Sequence, residues 1–72
     1  MGAGSERIGN SITRLAYVSQ LTDTQLAARA GISRAQLNRI RNGRAVPRLS
    51  TAIAVAHALN RRVREVFFLR PR

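Results

Sequence analysis

Cysteine and lysine are both absent from this 72-residue chain, and acidic residues number only three. Without cysteine, disulfides and thiolate metal sites are excluded, and the lack fits a reducing cytoplasm. One histidine and three carboxylates do not readily build a nitrogen/oxygen metal site. The carboxylates Glu6, Asp23 and Glu65 are too scattered for paired acid–base chemistry. His57 has neutral neighbours, and Ser33 has no obvious base to activate it. No catalytic residue, metal or cofactor is therefore expected. Long apolar runs are missing too: none approaches the ~20 residues that span a bilayer. The opening Met1–Glu6 carries no hydrophobic signal core, and Glu6 stands where an acylation signal wants Ser or Thr. The expectation is a cytoplasmic, nucleoid-associated protein with no membrane partner.

What the chain has in abundance is arginine. All 13 basic residues are arginine, and the formal net charge is +10. Arginine forks suit phosphates and guanine edges better than ammonium groups do. An excess this large in so short a chain points to a polyanion partner, with nucleic acid ahead of an acidic membrane or protein. The length fits one domain, marginal in stability and dependent on tight helix packing or self-association.

The pattern is all-helical: five helices, with no strand-like alternation and no repeat. A lead-in over residues 1–5 precedes a domain over 6–69, and 70–72 form a frayed tail. Ile8, Ile12, Leu15 and Ser19, with Ala16 beside them, predict a first helix from about Glu6 to Gln20. Thr22 with Gln25 forms a capping box for a second helix, and Asp23 suits the positive end of its dipole. Leu26, Ala27 and Ala30 share a face, and Gly31 stops the helix. Ser33 caps a third helix from Arg34 to about Asn42, with Leu37 and Ile40 inward and Gly43 at its end. Pro47 bars its continuation. A fourth helix spans about Leu49 to Leu59, burying Ile53, Ala56 and Leu59, with Asn60 closing it. A short fifth covers Val63 to Phe68.

The second and third helices are short and joined by a tight glycine turn. That arrangement makes a corner from which the third helix stands out. With Leu37 and Ile40 facing the core, Arg34, Ala35, Gln36, Asn38, Arg39 and Arg41 remain for other faces. Arginine reads guanine bidentately, Gln and Asn read adenine, and Ala touches a thymine methyl. Arg34, Ala35, Gln36, Asn38 and Arg39 are the expected base readers. Arg44 and Arg48 follow in the loop, placed to grip phosphates. Arg7, Arg14 and Arg29 are expected to be solvated surface, and Arg61, Arg62 and Arg64 solvated surface or a dimer rim.

Residues Thr22 to Gly43 resemble the helix-turn-helix of the phage repressor and Cro type, also called XRE. Leu26-Ala27, Ala30-Gly31-Ile32, Leu37, Ile40 and Asn42-Gly43 stand at that family's spacing. The match continues through Pro47, Ala56 and Leu59 to Val66-Phe67, covering roughly residues 8 to 68. The resemblance implies a compact five-helix, lambda-repressor-like domain whose third helix enters the DNA major groove. It also implies phosphate contacts at Thr22, Arg44 and Arg48, partly through backbone N–H groups at a helix start; Ser33, opening the third helix, is expected to join them. Two departures from the family pattern matter. Asp23 stands where the family often has a backbone-contacting Gln, so that contact is not carried over and capping is its expected role. Ala16 and Arg41 stand where the family often pairs Arg with Glu. Arg41 is thus expected to be free for phosphate or solvent.

Phe67, Phe68 and Leu69 are consecutive and apolar, and a helix cannot turn all three inward. They are the expected homodimer interface. The resulting expectation is a transcriptional regulator, a repressor in the simplest case, that binds a palindromic operator in double-stranded DNA as a homodimer. Two rivals are an antitoxin-like module with a toxin partner and a nonspecific nucleic-acid-binding protein.

Overall fold

A computed structural model describes residues 8–70. The element order is β1 (Ile8–Asn10), α1 (Ile12–Val18), α2 (Asp23–Ala30), α3 (Arg34–Arg41), α4 (Leu49–Ala58), α5 (Val63–Val66) and β2 (Phe67–Leu69). The five helices match the expected fold. The lead-in over 1–5, Glu6 itself and the last two residues of the tail lie outside the described residues.

The core is a set of interlocking helix faces. Ile12, Leu15 and Ala16 of α1 meet Leu26, Ala27 and Ala30 of α2, Leu37 and Ile40 of α3, and Val55, Ala56 and Leu59 at α4; Val66 closes the cluster. The α2–α4 contact is the most extensive. Alanines on both sides let these two backbones approach closely. The buried face of α4 comprises Ala52, Val55, Ala56 and the capping Leu59. Ile53 was expected inward, but it is 48 % exposed. It lies roughly 100° around the helix from Ala52, and the alanine-lined face wins because it fits the close approach to α2. Asn60 has φ +57°, the left-handed conformation expected after this helix.

Both chain ends depart from the expected helices. The first helix begins at Ile12 rather than near Glu6, and the fifth ends at Val66 rather than Phe68. Instead, β1 and β2 pair antiparallel, with Ile8 opposite Leu69, Gly9 opposite Phe68 and Asn10 opposite Phe67. The helical spacing of Ile8 with Ile12 is coincidental. Two three-residue strands carry no readable period, and each forms only because its partner arrives from the far end of the chain. Asn10 also breaks the helix locally: its Oδ1 accepts from Ile12 N–H at 3.1 Å, so the first turn starts after it. The small sheet is stitched to the helices by Ser11 N–H donating to Val66 C=O at 2.9 Å.

Gly9 is needed in β1 for space. A Cβ there would stand 2.5 Å from Phe68 Cε1, so the aromatic ring lies directly over the glycine. Along β2 the side chains then part company: Phe67 packs against the core, Phe68 stays 44 % exposed and Leu69 81 % exposed.

Candidate nucleic-acid interface

The corner between α2 and α3 is built by local hydrogen bonds. Thr22 Oγ1 accepts from Gln25 N–H at 3.1 Å, and Gln25 Oε1 accepts from Thr22 N–H at 2.9 Å. This is a complete capping box. Gly31 takes φ +73°, and Ile32 N–H donates back to Ala27 C=O at 3.0 Å. Ser33 then opens α3, with Oγ accepting from Gln36 N–H at 3.0 Å. Both hydroxyls keep their own proton available for an external acceptor.

On α3, Leu37 and Ile40 are 1 % and 3 % exposed and anchor the helix. Arg34, Ala35, Gln36, Asn38 and Arg39 are all exposed. Two hollows flank Ala35. A groove of about 540 Å³ gathers Ser33, Gln36 and Arg39 with Arg48, Ser50 and Thr51 at the start of α4. A smaller hollow of about 280 Å³ gathers Arg34 and Asn38 with Asp23. The expected readers are thus brought together on one helix, with Arg48 beside them. Arg44 is exposed after α3, where its N–H closes the helix by donating to Arg39 C=O at 2.8 Å.

Two expectations about charge need correction. Arg41 is not free, and Asp23, which does stand in the first turn of α2 as its dipole role asks, bonds Arg41 rather than a backbone N–H. Arg41 Nη1 donates to Asp23 Oδ1 at 2.5 Å, which holds the Asp23 carboxyl below its ordinary value of 3.8; the nearby Arg34 charge adds to the effect. Arg41 Nη2 donates to Asn38 Oδ1 at 2.9 Å, and Asn42 Nδ2 donates to the same oxygen at 3.2 Å. This is the one salt bridge among the described residues. It arises because the α2–α3 corner lays the start of one helix against the end of the next. The opposite charges and the two departures from the family pattern are visible in the sequence, but their meeting depends on that corner.

Nothing in the sequence around Asn10 marks its part in holding α3. Its Nδ2 donates to Ile40 C=O at 3.3 Å and Arg41 C=O at 3.1 Å, the last carbonyls of α3. These are groups a helix end leaves without intrahelical partners. Ser50 and Thr51 were missed as groove residues, since nothing in their own neighbourhood marks them. Among the described residues no group of His, Asp or Glu could hold a metal ion. No helix there is long and apolar enough to cross a membrane.

A glycine-cornered helix pair presenting a polar, arginine-rich second helix defines the helix-turn-helix class. A family model for the helix-turn-helix matches residues 18–66, and this chain belongs to that family, in its XRE-type branch. Membership places it among non-enzymatic DNA-binding regulators. No curated protein matches the chain significantly. Among solved structures, the crystal structure of a "putative DNA-binding protein" from Bacteroides fragilis is similar, with a TM-score of 0.74 and 26 % identity. That similarity covers 85 % of this chain and 98 % of the other.

Proposed function

We propose that this chain is a sequence-specific transcriptional regulator of double-stranded DNA that inserts α3 into the major groove. One observation carries the reading: on α3 the apolar pair Leu37 and Ile40 is buried while Arg34, Ala35, Gln36, Asn38 and Arg39 are all exposed. Arg34 and Arg39 suit guanine, Gln36 suits adenine, and Ala35 suits a thymine methyl. Thr22, Ser33, Arg44 and Arg48 are the donors assigned to phosphate in this reading. Arg41, held by Asp23, leaves that phosphate set. The net charge of +10 supplies nonspecific attraction that weakens steeply with salt. The similar Bacteroides fragilis protein, itself described as DNA-binding, supports the same reading.

The regulator acts as a homodimer on a palindromic operator, with exposed Phe68 and Leu69 at the joint and Phe67 bracing them from the core side. Occupying the operator blocks polymerase, which makes repression the simplest outcome. Selection of bound duplexes from a random pool tests the reading. A two-fold symmetric site with half-sites about 34 Å apart is expected. An unsymmetrical single half-site overturns the dimer, and failure to enrich any duplex overturns sequence-specific binding. A second protein recovered in stoichiometric amounts, and lost on polar substitution of Leu69, would assign that end to a toxin-like partner instead.

A further inference from the structure

The only ion pair among the described residues lies against the helix expected to read bases. A carboxylate there opposes nearby phosphates, so its presence calls for a physical reason. Asp23 shares a hollow with Arg34, Ala35 and Asn38, and its side chain remains 45 % accessible. It therefore sits among the readers rather than behind them.

Its partner Arg41 does two things at once. One guanidinium nitrogen binds Asp23 and the other binds Asn38 Oδ1. Asn42 Nδ2 takes up the second lone pair of that same oxygen. Arginine and the amide NH2 can only donate, so this side of Asn38 must be its oxygen. Both acceptor positions of the Asn38 amide are consumed, and its NH2 is left as the group available to a ligand. Reading adenine bidentately needs one acceptor and one donor on the amide, because adenine shows N7 and N6–H2. A donor alone can meet both O6 and N7 of guanine, the O4 of thymine or the N7 of adenine, but it leaves adenine N6–H2 without an acceptor.

We propose that Asp23 is a positioning residue for specificity: it withdraws Arg41 from phosphate and, through Arg41, presents Asn38 to DNA as a donor only. The proposal rests on the DNA-binding reading above. A neutral Asp23–Arg41 pair adds no sequence-blind attraction, whereas a free Arg41 would. Asn38 in turn favours the paired acceptors of guanine over adenine, whose N6–H2 it cannot satisfy. The carboxylate lowers affinity for every duplex and sharpens the distinction between duplexes.

The test uses the full chain and measures binding to a pool-selected operator and to a scrambled duplex across a salt series. An exposed pair of this kind adds little to stability, so Asp23→Asn should keep the wild-type circular dichroism. In Asp23→Asn, binding to the scrambled duplex should strengthen several-fold. Its slope against log salt should steepen by about one unit, the signature of one more phosphate contact. The operator-to-scrambled ratio should fall by about tenfold, the discrimination one good base contact supplies. In an Arg41→Gln background the same Asp23→Asn change should leave the slope unaltered. An unchanged slope in the single variant, or an equal steepening with and without Arg41, overturns the proposal while leaving DNA binding intact. Wild-type protein that enriches no duplex overturns the DNA reading and this inference together.

Discussion

The two ends of α3 are held by different physics. At the start, Ser33 and Gly31 act on backbone groups within a few residues of themselves. At the finish, Asn10 reaches from β1 to the carbonyls of Ile40 and Arg41, and Asp23 reaches from α2 to the Arg41 side chain. A local cap orients the first turn of a helix whatever surrounds it. A distant brace works only if the rest of the fold delivers it. The difference separates what makes α3 a helix from what aims it.

Variants can break that comparison. Leu37→Ala strikes neither end but the anchor between them, and should cost about 2–5 kcal/mol by leaving a cavity at a residue 1 % exposed. Denaturant unfolding checks it, and a loss below that range would mean the core closes around the gap. Gly9→Val attacks the finish indirectly, by driving a Cβ into the Phe68 ring. It should cost about 1–3 kcal/mol. The companion Gly9→Val/Phe68→Ala should recover part of that loss if the clash is its cause.

Asn10→Ala removes two donations to α3 carbonyls and the acceptor for Ile12 N–H. About 1–2 kcal/mol should be lost. Hydrogen exchange should quicken at Ile12, Ser11 and the strand amides together. Ser33→Ala should cost about 1 kcal/mol, with faster exchange confined to the first turn around Gln36. If Ser33→Ala also loosens the strands, the two ends of α3 are not independent and the comparison fails.

The smallest effect belongs to acid. Arg41 depresses the Asp23 carboxyl in the folded state. A depressed folded value adds stability above the unfolded value, and that stability is lost as pH falls through the folded one. For a half-exposed pair the contribution should stay under about 1 kcal/mol. The melting-temperature difference between wild type and Asp23→Asn should therefore shrink as pH drops below the ordinary carboxylate range. A difference that grows on acidification would mean Asp23 is not the titrating partner.

Much of the candidate interface was legible in the chain. Thr22, Gln25, Gly31 and Ser33 mark their own roles, because a cap is a short-range hydrogen bond between neighbours. Leu26 with Ala30 on α2, and Leu37 with Ile40 on α3, stand at helical spacing and bury as that spacing demands. Ile53 shows where periodicity falls short, since packing against α2 favours a neighbouring face lined with alanine. Asn10 has no neighbour in sequence that marks it as a brace. Only the meeting of β1 with the end of α3 gives it a task.

By itself the sequence determined the five helices, the glycine corner, the exposure of Arg34, Ala35, Gln36, Asn38 and Arg39, and the surplus of positive charge. Each follows from neighbours along the chain or from composition. Tertiary structure alone decided that the chain ends pair as strands, that Gly9 lies beneath Phe68, and that Asn10 and Asp23 hold the far end of α3. Those contacts join residues far apart in sequence, and their free energy appears only once the intervening helices have packed and closed the loops between them.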